Sequence, residues 1–258
     1  MALTAYETQT RQLLQNPTAP TTLYSTTDID TYINRARGQL AGEAECIRYQ
    51  AALSTVASQQ VYNFSAVNTG NSAINGIQGI IHVRTILLAS GSGYIWLTPR
   101  SWEWFTQFHL NNTAPVNAQP TTWSQYAQGT APPGASVGVG STLGGSIYLD
   151  PPPNGVYSLL LDCVCFPVAL ADNTTVEAIP YLWTDAVPYF AAYLALLSAQ
   201  MQARRADAEA YFNYYQTFVQ RARQFANPDV MRPIYSQAED PAKINKLGIV
   251  SKAGGGAQ

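Results

Sequence analysis

The sequence predicts an α+β protein: a small antiparallel helical bundle of about four helices drawn from both chain ends, an all-β insertion between them, and an extended C-terminal arm. Three observations lead there. Apolar residues recur at helical spacing near both ends of the chain. The middle is built of β-branched runs punctuated by glycine. From Asp229 onward all periodicity stops. The expected division is a helical core of residues 1–54 and 172–227, a β-rich insertion of 55–171, and an arm of 228–258.

Residues 3–15 read as a short helix with Leu3, Tyr6, Thr10, Leu13 and Leu14 on one side. Asn16-Pro17 ends it, because the residue before a proline avoids helical angles. Thr27-Asp28-Ile29-Asp30 is a helix start, with Thr27 as the cap and the two aspartates at the positive end of the dipole. Ile29, Ile33, Ala36, Leu40, Ala44 and Ile47 then form one stripe, and the spacing predicts a helix to about Leu53. Tyr32, Arg35, Arg37, Glu43, Glu45 and Arg48 lie off that stripe.

Strands are expected at Gln60–Phe64, Ile77–Leu88, Tyr94–Leu97 and Thr122–Tyr126, with a helical turn at 101–105 after Pro99. Ser146–Leu149 and Val156–Phe166, joined by Pro151-Pro152-Pro153-Asn154-Gly155, read as a hairpin. Residues 111–144 are rich in Asn, Thr, Pro and Gly and read as a long excursion with little regular structure. Helices return after Asp172. Asp185 is a plausible cap for a helix with Pro188 in its first turn, carrying Val187, Phe190, Leu194, Leu197 and Met201. Arg204–Asp207 reads as a bend, with one long kinked helix as the alternative. Tyr211, Tyr215, Phe218, Ala222 and Phe225 define the last helix, which Asn227-Pro228 stops.

Composition narrows the function. Of 258 residues, 47% are hydrophobic and only 12% charged, about half the usual share of roughly 25%. That excludes a wholly disordered chain. A net charge of -2 argues against a general nucleic-acid binder, which needs a basic face. Sixteen Tyr and five Trp on so weakly charged a chain imply a surface covered by other copies or partners. No signal peptide or membrane-spanning run is expected, which makes synthesis in the cytoplasm the default. Charge is also uneven: residues 101–203 hold six acids and no Lys or Arg. The plain reading is a polar β region. The sharper one is a surface that must not hold a polyanion, or one that meets a basic partner.

Catalytic constellations do not stand out. His82 and His109 are too few for a histidine metal site, and Cys163-Val164-Cys165 puts two thiols on one strand face without the partners zinc needs. Gly138–Gly144 resembles a phosphate loop only superficially, since no lysine follows. Asp162 lacks a partner carboxylate for acid/base work. Asn63, Asn111 and Asn173 match glycosylation acceptors without a secretion signal to give them meaning. No metal or cofactor is expected.

Two segments carry a resemblance. Asp28-Ile29-Asp30-Thr31-Tyr32-Ile33-Asn34-Arg35-Ala36 is similar to an early helix of the head-to-tail adaptor (connector) proteins of tailed bacteriophages. Ile179–Tyr193, with its Pro180, Asp185, Ala191 and Ala192, resembles their late helix, and the Ala/Arg/Tyr-rich stretch through Arg223 follows. The likeness covers roughly residues 1–60 and 175–226; Pro188 departs from it.

The resemblance implies a non-enzymatic virion protein of the neck, made in the host cytoplasm. It would form a ring with itself, usually of twelve copies, and bind the portal protein above and a tail or nozzle protein below. DNA would pass through the channel without specific binding, and no membrane is involved. The insertion would face the tail, with Trp96, Trp102, Trp104 and Trp123 as tail-facing or subunit-contact aromatics. Met231, Ile234, Tyr235, Ile244, Leu247 and Ile249 would anchor the arm on the portal or a neighbour. The main rival is a carbohydrate-binding or tail-fibre-linked β module, in which Trp96, Trp102, Trp104, Phe105, Phe108 and Trp123 stack sugars. A cell-wall hydrolase is a further rival.

Overall fold

A computed structural model describes residues 1–16, 23–69, 75–91, 93–108, 116–126, 145–198 and 204–226. The anchors between Met231 and Ile249, together with Met201, His109 and Gly138–Gly144, lie outside the described residues, as does most of the 111–144 excursion. The protein is mixed α+β. Among the described residues there are five α-helices and eight strands in two four-stranded sheets.

Helix α1 spans Leu3–Leu14 and buries Leu3, Tyr6, Thr10 and Leu14. Helix α2 spans Thr26–Ala44. Its cap is Ser25, not Thr27. The Ser25 hydroxyl accepts the Asp28 N–H at 3.1 Å, and the Asp28 carboxylate accepts the Ser25 N–H at 3.2 Å. Both bonds are present between Ser25 and Asp28, which closes a capping box, and Thr27 lies inside the first turn. Replacing Ser25 with alanine is expected to lower stability by about 1 kcal/mol in urea titration. The same change at Thr27 should stay within about 0.5 kcal/mol; equal losses would contradict this assignment.

The expectation of a helix to Leu53 fails. Glu45 takes left-handed angles and ends α2 at Ala44, and residues Arg48–Ser54 form strand β1. Ala51 and Leu53 are good helix formers, but every residue of β1 pairs with strand β8 (Ser158–Pro167). Long-range pairing overrides the local preference.

The other strands are β2 (Val61–Asn63), β3 (Ile77–Ser90), β4 (Gly93–Trp96), β5 (Thr98–Pro99), β6 (Thr122–Tyr126) and β7 (Ser146–Asp150). The first sheet runs β1-β8-β3-β4 and is antiparallel throughout. The second runs β2-β7-β6-β5, with β5 parallel to β6. The expected hairpin is therefore not formed: β7 and β8 belong to different sheets. Three successive prolines, Pro151 to Pro153, offer no N–H to a ladder, so the chain leaves one sheet and enters the other. Strand β8 sits in the middle of the first sheet, with Leu159, Leu161, Cys163, Val164 and Cys165 all fully buried.

The expected turn after Pro99 is a short helix, α3 (Trp102–Phe108). Helices α4 (Ala186–Ser198) and α5 (Arg205–Ala226) are separate elements, but the bend expected at Arg204–Asp207 is not there: Arg205, Ala206 and Asp207 already form the first turn of α5. The two helices run antiparallel on an aromatic seam: Trp183 meets Phe225 at 5.6 Å, Phe190 meets Tyr215 at 4.4 Å, and Tyr193 meets Phe212 at 5.0 Å. Helix α4 packs against α1, α2 and α5. Ala191, Ala192 and Ala195 are fully buried along it, and such small side chains permit close helix approach. Helix α2 also packs on β8, and the Phe166 ring lies where a Cβ on Gly38 would stand. Buried side chains of the helices and of both sheets form one continuous core.

Candidate docking surface and the network behind it

The polar groups at the centre of the molecule serve the fold. Arg37 lies off the apolar stripe expected for α2, yet it is fully buried. It shares a helix face with Ile33, Ala41 and Ala44, in steps of four, four and three residues, and that placement is the signal available in the sequence. Its guanidinium donates to both oxygens of Glu177, at 2.7 and 2.9 Å, to the Val168 carbonyl at 2.7 Å and to Asn34 at 3.1 Å. Glu177 also accepts the Tyr6 hydroxyl at 2.8 Å and the Ile179 N–H at 3.0 Å. Burial, then the Glu177 carboxylate, holds the Tyr6 phenol far above its ordinary pKa. Asn34 accepts the Leu170 N–H at 2.7 Å and donates to the Leu170 carbonyl at 3.0 Å. Asn34 and its neighbours therefore clasp the later chain. Tyr32 does the same with its hydroxyl on Ser198 at 2.7 Å.

Helix ends are tied across the chain as well. Asn173 accepts the Thr4 N–H at the start of α1, at 2.9 Å. Arg204 and Tyr211 donate to the Leu13 and Leu14 carbonyls at its end. Arg223 donates to the Glu43 carbonyl near the end of α2, and Arg48 and Arg84 both donate to the Ala226 carbonyl at the end of α5. Cations at helix C-termini are favoured by the dipole as well as by the bond. Two of the six acids in the cation-free segment are thereby accounted for. Glu177 pairs with Arg37, and Asp162 pairs with Arg48. Part of the negative charge is neutralised internally and does not reach a partner.

The predicted aromatics separate by burial. Trp123 is 4% exposed and Phe105 is 2% exposed; both are core. Trp102 is half-buried and packs on Tyr126 at 4.3 Å and Tyr148 at 4.7 Å. Trp104 is half-buried beside Phe105, with the Arg100 guanidinium 5.2 Å from its ring centre. Trp96 is apart from these, 67% exposed on β4. The structure thus brings Trp102, Phe105, Tyr126 and Tyr148 into one packed group. It leaves Trp96 with Tyr94 at the surface.

Potential reactive groups are buried or isolated. The three cysteines are free. Burial pushes the Cys46 and Cys165 thiols up to about 12, and Cys163 well above its ordinary value. A thiol is nucleophilic only as thiolate, so none should react with Ellman's reagent at pH 8 in the native protein. Three equivalents should appear on unfolding in urea; fast reaction of any one in the folded state would contradict the packing. His82 sits 3.6 Å from Glu45, with a pKa lowered chiefly by burial. Among the described residues no group of three metal-ligating side chains comes together, and no helix is long and apolar enough to cross a membrane.

The exposed surface carries large apolar side chains as well. Thirteen large hydrophobic side chains are exposed among the described residues, including Tyr94, Ile95, Trp96, Val116, Val156, Tyr181, Leu182 and Phe225. Charge is almost absent from the β region: residues 49–171 contain only Arg84, Arg100, Glu103, Asp150 and Asp162. A subunit whose buried polar groups knit the fold, and whose surface exposes large apolar side chains, has the character of an assembly protein. A family model for the SU10 adaptor protein matches residues 1–237, and the chain belongs to that family of bacteriophage head-to-tail adaptors. The match runs through the β region, beyond the two segments that carried the resemblance. No curated protein matches the chain. Family membership makes it a structural component of the virion that works with portal and tail proteins.

Proposed function

We propose that this adaptor acts as a ring of identical subunits, twelve in number, seated below the portal at the neck. Each subunit would present one flank to a different flank of the next, the arrangement that closes a heterologous ring. In this reading the helices within residues 1–54 and 172–227 surround the DNA channel. The β insertion of residues 55–171 faces the tail. The arm of 228–258 clasps the portal or a neighbour through Met231, Ile234, Tyr235, Ile244, Leu247 and Ile249. Trp96 is the tail-facing aromatic, while Trp102, Trp104 and Trp123 pack within the insertion, apart from it. DNA slides past without specific contacts, since each Lys or Arg on a phosphate would add grip. The role is geometric: the protein lengthens the conduit and turns the portal surface into one the tail can bind, without catalysis or cofactor.

The observation that carries this reading is the charge-poor surface with its exposed large apolar side chains, which suits a subunit covered on several sides. The sugar-stacking alternative gains nothing from Trp102, Phe105 and Trp123, whose faces are taken up by packing.

Mixing the purified chain with its cognate portal and weighing the complexes tests the proposal. Twelve copies per portal ring are expected. A chain lacking residues 229–258 is expected to fold but attach more weakly. A full-length chain that never joins the portal would contradict the proposal, and a truncated chain that is unfolded would contradict the role given to the arm.

A further inference from the structure

We infer that β4 is an acceptor edge for an extended, uncharged segment of the tail-side partner, which adds to the first sheet as another strand. The inference rests on the ring reading and names the contact within it.

Among the described residues strand β4 lies at the edge of its sheet, and every one of its residues is exposed. Tyr94 is 61%, Ile95 44% and Trp96 67% exposed. The Leu97 N–H donates to the Ile86 carbonyl at 3.0 Å, so Leu97 turns its backbone inward. Alternation along an antiparallel pair then turns the N–H and C=O groups of Tyr94 and Trp96 toward the free edge. Such an edge is a template for pairing, and soluble proteins blunt it with charge, proline or a bulge. Strand β4 has none of these, and residues 85–99 contain no charged side chain. Tyr94 and Trp96 together offer on the order of 250 Å² of aromatic surface, about a third of what one partner gives to a standard interface.

The location points away from the helices. Leu88 pairs with Ile95 on one side and with Leu159 on the other, near the start of β8, whereas α2 meets β8 at Phe166, near its end. At the same far end lie the exposed Val56, Val116 and Val156. Their loops are fixed to one another: Ser58 N–H donates to the Pro153 carbonyl at 2.7 Å, Asn117 to Ser58 Oγ at 2.6 Å, and Thr55 to the Gly155 carbonyl at 3.0 Å. Residues 55–60, 116–121 and 151–157 are also free of charge. The segment that fits this end is itself uncharged, and strand addition supplies its main-chain bonds.

A second copy of the chain is a poor source. The β1 edge is bridged by Asn68 at Ala52 and carries the Arg48–Asp162 pair, while β2 has three residues and β5 two. Among the described residues no other edge is long, free and uncharged.

The test uses particles of the phage that encodes this chain, carrying variants at Trp96. Trp96→Pro removes one outward N–H and leaves the β3 pairing intact; Trp96→Ala keeps that N–H. Electron microscopy should find DNA-filled heads that retain the adaptor, with tailed particles reduced at least about ten-fold for Trp96→Pro and clearly less for Trp96→Ala. Equal losses would overturn strand addition, because a side chain alone would then do the docking. Wild-type tailing in both would overturn the whole inference. Heads without adaptor would overturn it too, by assigning the edge to contacts between copies or with the portal. Should Trp96→Pro melt early, Tyr94→Lys, a charge on the same edge, carries the test with the same ten-fold loss expected. Wild-type particles with no ring at the neck would instead remove the ring reading on which the inference stands.

Discussion

Replacing Arg37 with methionine is expected to destabilise the subunit by about 3–5 kcal/mol, the usual cost of leaving one member of a buried ion pair alone. The size follows from the surroundings. The Glu177 side chain is 6% exposed, and with Arg37 gone its carboxylate would keep the Tyr6 hydroxyl and the Ile179 N–H. The Val168 carbonyl would lose a charged donor as well. The network joins α1, α2 and the segment between β8 and α4, so the loss is felt where the two ends of the chain meet. Glu177→Gln should cost less, because the amide oxygen still accepts hydrogen bonds and Arg37, though left without its counter-charge, keeps the Val168 carbonyl and Asn34 as acceptors. The double change Arg37→Met with Glu177→Met should recover much of the loss, since a buried pair often breaks even against apolar side chains of similar volume. Urea titration of the four proteins reads all three statements. A single Arg37→Met change costing under about 1 kcal/mol would show that the pair is not the tie described here.

The second large effect is expected at Gly76. Its φ of +63° is a left-handed conformation, and an added Cβ would stand 2.4 Å from the Val176 carbonyl oxygen. The neighbour is backbone and cannot rotate away. Its position is fixed in turn, because the Gly76 carbonyl accepts the Val168 N–H at 2.7 Å. Gly76→Ala combines left-handed strain of roughly 1–3 kcal/mol with overpacking of similar size, so on the order of 3 kcal/mol should be lost. Gly91 supplies the control. It too has positive φ, at +58°, but nothing lies within 4 Å of its Cβ position. Gly91→Ala should therefore cost only the conformational part, about 1 kcal/mol. Comparable losses at the two sites would contradict the close approach at Gly76.

What could be read from the sequence was local. The stripe from Ile29 to Ala44 and the aromatic repeat of α5 are written into single helices, and both helices form. Glycine and β-branched patterning located most of the strands. What escaped was set by partners far along the chain. Residues 48–54 are a strand because β8 pairs with them, although their composition suits a helix. The prolines after β7 mark a change of sheet, which only the positions of both sheets reveal. Arg37 and Glu177 lie 140 residues apart, so nothing near either one predicts the pair. Helix-end ties such as Asn173 to Thr4 are equally remote. Tryptophans that read alike in sequence differ because α3 and β6 cover some of them, while β4 holds Trp96 at an open edge.

The most direct measurement is a reconstruction of the phage neck by electron cryomicroscopy, without imposed symmetry. The account predicts a closed ring of twelve copies of this fold beneath the portal, with β4 and the valine-bearing loops directed at the tail. Density for a single copy, for a ring on another part of the particle, or for the β region turned toward the capsid would contradict it.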